Sequence, residues 1–388
     1  MNQNLSVRIL VHAPEPASPT TIHIPCSLSP TTFEALTDEL EFPNGNWKQW
    51  WYKTSPILLK LMTSSNYSIE RQHQYLEFYA RVIIPFLGPY PQVVRSSLTR
   101  SGLLVEFRFE SRSWDTVSQS IHLDATEKAI LQEIKINDTF SRAQTLFSID
   151  FVGDGAISVK AYVFPGLKCN ISGQSSRELL ANTVQGLQRQ VDCSEVFSMV
   201  DCYLQETNSY NPYTFFSWDC IKPSNSRLKL YMCSASMMRA KLEDAWFLGS
   251  RLQGPSVEKG LQSKWNMMIE AIPPTQPPLM WNYEMRSEDP SPLTKIYLPV
   301  HGENDLKNCH RGCTFMEEIG MVDTGKTYLD TIQTCNPRYD LEQTDRLTSW
   351  ISFAFTEFTG LYLSIHYHSS TDNPWAAEEK QQPSRGEL

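Results

Sequence analysis

The sequence contains no apolar run of about 18 residues, the length a membrane-spanning helix needs, so an integral membrane protein is not expected. No secretory leader is expected either: MNQNLSVRILVHAPEP reaches Pro14 and Pro16 after a very short apolar stretch. Excess basic charge is missing too. Lys and Arg total 34 against 43 Asp and Glu, and the net charge of −9 argues against nucleic acid as the main partner. No Walker stretch, Gly-x-Gly-x-x-Gly or Gly-x-Ser-x-Gly occurs, which removes the common nucleotide-binding and serine-hydrolase readings. The nine cysteines, odd in number and without a leader, read as mostly free thiols of a soluble cytoplasmic protein. Cys309 and Cys313 in CHRGC, with His301, lack the second cysteine pair of a zinc site, so no metal is expected there.

What is present is ample apolar and aromatic material. Of 388 residues, 41% are hydrophobic and 11% aromatic, enough for a sizeable core. The expected organisation is an irregular N-terminal segment over 1–25, one domain over 26–370 and a polar, disordered tail over 371–388. Ser29-Pro30 reads as a helix start leading into Phe33, Leu36 and Leu40. Further helices are predicted over 68–86, 126–136, 176–191, 236–248 and 257–270, with a Pro-rich loop at 272–279. GDG at 153–155 reads as a hairpin turn. Trp47, Trp50 and Trp51 read as core or wall aromatics.

Between the helices, short strands repeat a theme. SVKAYVFP puts Lys160, Tyr162 and Phe164 on one face and Val159, Ala161 and Val163 on the other, because strand side chains alternate. SRLKLY does the same with Arg227, Lys229 and Tyr231 against Leu228 and Leu230. TKIYLP repeats it with Lys295 and Tyr297 against Ile296 and Leu298. The three Lys-x-Tyr pairs lie 69 and 66 residues apart, and GLYLSIHYH at 360–368 begins about one period later. A fixed period means one supersecondary unit used several times, here helices followed by a strand pair.

A single strand of this kind is equally well read as half-buried, with wetted charges. Three with the same pair at near-constant spacing are harder to dismiss. The helices need an apolar surface to cover, and the Val/Leu/Ile faces provide it. The Lys/Arg/Tyr faces then point away from the helices and, in a closed sheet of about ten strands, into a chamber wide enough for a ligand. Inward cations suit a diphosphate through charge-assisted hydrogen bonds, and tyrosine ring faces stabilise a cation. The acidic Asp-Asp-x-x-Asp run that holds Mg²⁺ in many isoprenoid enzymes is absent, so Arg and Lys would do the neutralising themselves.

The stretches SGLLVEF, VKAYVFP, SWDCIKPSNSRLKLY, TKIYLP and TSWISFAF…LYLSIHY, in that order between about residues 47 and 368, resemble the fungal aromatic prenyltransferases of the dimethylallyltryptophan synthase type. The resemblance implies an α+β fold, the αββα prenyltransferase barrel. It implies transfer of a dimethylallyl group from its diphosphate to an indole-containing acceptor in secondary metabolism, with no cofactor or metal required. By the same resemblance Lys160, Arg227, Lys229 and Lys295 bind diphosphate, Lys295 standing where many relatives have Gln. Tyr162, Tyr231 and Tyr297 shield the allyl cation. Tyr362 and His366 are both candidates for the last shield position. Glu106 accepts the indole N–H, and Phe164 falls on the aromatic-substrate side. The implied partners are dimethylallyl diphosphate and an aromatic acceptor, without nucleic acid or membrane; a homodimer is left open.

The sequence departs from the family pattern in two places. An Arg in a TVR context is replaced in Thr116-Val117-Ser118, so one diphosphate contact is either lost or taken over by Arg108 or Arg112. No Lys lies between Lys135 and Lys160, where some tryptophan-specific relatives carry a proton acceptor, which favours an indole derivative larger than free tryptophan. Two alternatives stand beside this reading. One is prenylation of a phenolic polyketide or xanthone in the same fold. The other is a non-catalytic anion-binding barrel, which would gain nothing from a buried Glu106.

Overall fold

The computed structural model describes residues 3–10, 32–64, 67–91, 105–111, 145–151, 157–211, 214–234, 239–262, 279–287, 289–300, 302–318, 321–356 and 360–368. Ten strands form a closed barrel. They are Gln3–Leu10 (β1), Val105–Ser111 (β2), Thr145–Phe151 (β3), Ile157–Val163 (β4), Phe215–Asp219 (β5), Leu228–Ser234 (β6), Leu279–Met285 (β7), Leu293–Pro299 (β8), Thr348–Thr356 (β9) and Gly360–His368 (β10). Their order around the barrel is β1-β2-β10-β9-β8-β7-β6-β5-β4-β3, and neighbours are antiparallel. The Lys-x-Tyr strands are β4, β6 and β8, each the second arm of a pair, which is the unit behind the sequence period.

The expectation of an irregular segment over 1–25 is corrected at Gln3–Leu10, which is β1 and joins β2 to β3. Its alternation of Leu5, Val7 and Ile9 with Asn4, Ser6 and Arg8 is a strand pattern. Six residues of contrast beside two prolines are too few to stand out. The pairing that makes it a strand is supplied by β2 and β3, about 100 and 140 residues further on.

The helices lie outside the sheet. Leu230, Met232, Trp281, Ile296, Leu298, Phe353 and Ile365 form one buried cluster with Val200, Tyr203 and Leu204 of helix 194–206, Leu242 and Trp246 of helix 239–246, and Phe315 and Ile332 of helices 305–318 and 322–335. Burying a side chain of this size contributes about 1.5–3 kcal/mol, which fixes which sheet face turns outward. Helix 176–187 starts on a capping box, Ser175 with Glu178. The predicted 68–86 is Ile69–Phe78 followed directly by a π turn to Ile83 and a 3-10 turn to Phe86.

Helix 45–64 was not predicted, because Pro56 lies inside it and removes one backbone donor. It carries Trp50 and Trp51, both fully buried, with Trp51 stacked on Phe33 at 5.3 Å. Helices 166–172, 194–206, 305–318 and 322–335 were likewise not read from the sequence. The helix start at Ser29-Pro30, the helix at 126–136, the turn at 153–155, the loop before Leu279 and the tail from 369 lie outside the described residues. Among the described residues no helix is long and apolar enough to cross a membrane, and the cysteines are free thiols.

Candidate active site

With the outward face fixed by packing, alternation turns the other face into the barrel. Cross-strand pairs share a face. Lys160 pairs with Ser148 and Asp219, Tyr162 with Ser217, Lys229 with Ser217 and Glu284, and Tyr231 with Phe215 and Asn282. Lys295 pairs with Asn282 and Ala354, and Tyr297 with Met280 and Ser352. The interior therefore joins a cationic sector on β4–β6 to an aromatic one running towards β10.

The cations are not bare. Lys160 is 3% exposed and its Nζ is ion-paired with Asp150 Oδ2 on β3. Arg227 donates through Nε to Asp219 Oδ2 at 2.5 Å and through Nη2 to Asp219 Oδ1 at 3.0 Å. Its Nη1 faces Glu284 at 3.3 and 3.4 Å. Lys229 Nζ stands 3.4 Å from Glu284 Oε2. Burial by itself would raise the Asp219 carboxyl, but the charges of Arg227, Lys229 and Lys160 and the Arg227 hydrogen bond bring it down to about 2. For Arg227, burial works against the charge, yet Glu284 and Asp219 outweigh it and hold the guanidinium firmly protonated. Asp219 is thus the shared counter-charge of the sector.

The aromatic side chains make a continuous belt. Tyr162 and Tyr231 have ring centroids 5.8 Å apart, Tyr231 and Tyr297 5.9 Å, and Tyr297 and His366 6.1 Å. Phe215 stacks on Tyr231 at 4.3 Å with an interplanar angle of 10°, and Phe164 packs on Phe215 at 4.9 Å. All four belt residues are buried. Asn282 Nδ2 donates to the Tyr297 hydroxyl at 3.1 Å, which fixes that ring. Asn282 Oδ1, in register with Tyr231 and Lys295, and Ser352 Oγ, in register with Tyr297, are buried without a hydrogen-bond partner among the described residues. Such atoms are costly unless something polar meets them.

Tyr362 meets the belt through Lys295, whose Nζ also lies 5.3 Å from the Tyr297 ring centroid. The Tyr362 ring lies beneath Lys295, whose Nζ is 3.9 Å from the centroid. The position of Glu106 on β2 lies opposite Arg8 of β1 and His368 of β10, on the His366 face. Its side chain, the side chain of Arg108, and residues Arg112 and Thr116-Val117-Ser118 lie outside what is described. Among the described residues no group of His, Cys, Asp and Glu is arranged to hold a metal ion. Cys309 and Cys313 share the helix 305–318 and pack in the outer core, while His301 is outside the described residues.

The sequence reading missed Asp150, Asp219 and Glu284. Each has the inward parity of its strand, which was the available signal. Which cation each meets depends on register between strands up to 57 residues apart.

A closed αββα barrel whose interior joins buried cations to an aromatic belt is the architecture of the aromatic prenyltransferases. A family pattern for tryptophan dimethylallyltransferase matches residues 46–113 and 105–331. Prenyltransferase okaC of Penicillium ochrochloron is 40% identical, covering 88% of this chain and 95% of its own length. Prenyltransferase malE of Malbranchea aurantiaca is 34% identical, covering 92% and 95%. The crystal structure of NotF in complex with brevianamide F and DMSPP superposes with a TM-score of 0.74 at 30% identity, over 88% of this chain and 99% of that one. The chain belongs to the tryptophan dimethylallyltransferase family. It is an indole prenyltransferase that moves a dimethylallyl group from its diphosphate to an indole-containing acceptor, with no metal and no further cofactor.

Proposed function

We propose that the acceptor is a tryptophan-derived compound larger than tryptophan, such as a cyclic dipeptide or an indole alkaloid, and that the reaction is an electrophilic aromatic substitution run by the residues of this barrel. The observation that carries the reading is the junction of the cation sector and the belt at β4 and β6, where Lys160 and Tyr162, and Lys229 and Tyr231, alternate on single strands. Lys160, Arg227, Lys229 and Lys295 hold the diphosphate as it leaves, and their hydrogen bonds strengthen as charge builds on it. Tyr162, Tyr231, Tyr297 and His366 face the allyl cation and exclude water from it. Tyr362 acts through Lys295, which rests on its ring. Phe164 and Phe215 border the acceptor.

Glu106 accepts the indole N–H, which raises electron density in the attacking ring. The carbon–oxygen bond to diphosphate breaks, and the ring then attacks the shielded allyl cation to form a carbon–carbon bond. The ring proton then leaves and aromaticity returns. The relative named deoxybrevianamide E synthase notF, of an Aspergillus species at 30% identity, and the NotF structure in complex with brevianamide F support the acceptor class. The lack of a lysine between 135 and 160 also supports an acceptor other than free tryptophan. The free thiols are in keeping with a cytoplasmic enzyme.

The test is to incubate the protein with dimethylallyl diphosphate and a panel of free tryptophan, indole-containing cyclic dipeptides and xanthones, and to read product masses. Dominant prenylation of a cyclic dipeptide or other elaborated indole is expected. Dominant prenylation of free tryptophan or of a xanthone overturns the acceptor assignment.

A further inference from the structure

Asn282 is a polar side chain inside an aromatic belt. It is 1% exposed and lies on the inner face of β7, in register with Tyr231 on β6 and Lys295 on β8. Its Nδ2 donates to the Tyr297 hydroxyl at 3.1 Å. The amide therefore sits where two neighbouring belt residues meet, Tyr231 and Tyr297, whose ring centroids are 5.9 Å apart. With Nδ2 turned to Tyr297, the other end of the amide is its carbonyl. Oδ1 is buried and has no hydrogen-bond partner among the described residues. Ser352 Oγ, on β9 opposite Tyr297, is in the same condition. Buried acceptors left unpaired are costly, and each calls for an explanation.

We infer that the Asn282 carbonyl stabilises the allyl cation directly, with Oδ1 presenting the negative end of the amide dipole to the allyl group as diphosphate leaves. The inference rests on the proposed reading that the belt faces that cation. The carbon–oxygen bond breaks with both electrons going to diphosphate, and positive charge spreads over the two ends of the allyl group. No bond forms to Asn282. The dipole is already in place when the charge appears, so it costs no reorganisation at that moment. The hydrogen bond to Tyr297 holds it there.

The chemistry suits an amide better than the alternatives. Ring faces attract a cation through their quadrupole, and a carbonyl oxygen adds a stronger dipole among them. A carboxylate at the same place would capture the allyl cation as an ester. An amide oxygen is the weaker nucleophile and leaves the charge for the acceptor ring. Because the attraction is realised only as charge develops, it raises kcat and does little for substrate affinity.

The experiment compares two inhibitors that share the diphosphate end. One is 2-(dimethylamino)ethyl diphosphate, whose protonated nitrogen puts positive charge where the allyl cation carries it. The other is 3-methylbutyl diphosphate, its neutral counterpart. Calorimetry gives both affinities, and their ratio, for wild type, Asn282→Leu, Tyr297→Phe and Tyr231→Leu; single-turnover prenylation is measured on the same proteins. Wild type should prefer the ammonium compound. Asn282→Leu should cut that preference about tenfold and slow prenylation about 100-fold, the scale for one preorganised dipole at a developing charge. Tyr297→Phe keeps the carbonyl and should lose less of both. If wild type shows no preference, the belt does not receive the cation, and the proposed role of the belt fails together with this inference. If Tyr231→Leu lowers the preference and Asn282→Leu keeps it, the belt stands and Asn282 is structural, which overturns the inference. Equal weakening of both inhibitors in Asn282→Leu would place the amide at the diphosphate end and overturn it too. So would equal losses in Asn282→Leu and Tyr297→Phe, since the amide would then act only through the phenol. Should Asn282→Leu fail to fold, the same ratio in Asn282→Ala decides.

Discussion

Lys295 places its ammonium 3.9 Å from the centre of the Tyr362 ring, across a strand that carries Ala354 between them. Ala354 pairs with Lys295 on one side and with Tyr362 on the other, and its small side chain leaves the path open. A cation over a ring face is worth about 0.5–2 kcal/mol, depending on desolvation. Tyr362→Phe keeps the ring and should leave the KM for dimethylallyl diphosphate nearly unchanged. Tyr362→Leu removes this ring contact from Lys295 and should raise that KM several-fold with a smaller change in kcat. Steady-state kinetics on both variants measure this. Equal effects from the two would mean that the hydroxyl, and not the ring face, is what matters.

Arg227 and Lys229 should each be needed for the chemical step. Replacing either by Ala removes a charge-assisted donor from the leaving group. By analogy with single oxyanion donors, about 2–4 kcal/mol of transition-state stabilisation is lost. The readout is kcat/KM for dimethylallyl diphosphate, and near-wild-type values for both variants would put this strand face outside the active site.

Asp219 should make stability depend on pH at the acid end. Its carboxyl is held at about 2 in the folded protein, below the value of about 3.9 for an unfolded chain. A depressed folded value contributes stability that is fully present above about pH 4 and is lost as pH falls towards 2. The contribution is about 2.6 kcal/mol. Urea unfolding midpoints should therefore fall more steeply below about pH 4 in the wild type than in Asp219→Asn, which is less stable at neutral pH but lacks this titration. Parallel curves would show that Asp219 is not held ionised by its neighbours.

Turnover should survive EDTA, because Arg and Lys side chains stand where an acidic metal-binding run would otherwise be needed. Product formation with and without chelator is the measurement. Complete loss that only Mg²⁺ restores would contradict it; modest stimulation by a divalent ion would not.

Glu106→Gln should lower prenylation by about 100-fold or more, in the range for lost proton-handling groups. Diphosphate binding should change little, since the substitution leaves the cation sector intact. The informative comparison is an indole acceptor against its N-methyl analogue in both proteins. Wild type should strongly prefer the parent indole, and Glu106→Gln should lose that preference. If wild type prenylates both equally and the variant matches it, Glu106 does not anchor the indole.

The sequence by itself determined which side chains share a face. Alternation puts Lys160 with Tyr162, Lys229 with Tyr231 and Lys295 with Tyr297 whatever the strands pair with, because the period of a strand is a property of its backbone. The spacing of those pairs and the stretches around them also carried the fold and the family. Tertiary structure alone decided that Gln3–Leu10 closes the barrel, since an eight-residue strand is stabilised only by neighbours far along the chain. It also set the surroundings of Tyr362 and His366: His366 lies 6.1 Å from Tyr297, while Tyr362, four residues earlier on the same face, is capped by Lys295. And it decided that Asp150, Asp219 and Glu284 answer Lys160, Arg227 and Lys229. Parity along a strand is local, but which charge meets which across the barrel depends on register, and register is fixed by packing the outer face against helices from every part of the chain.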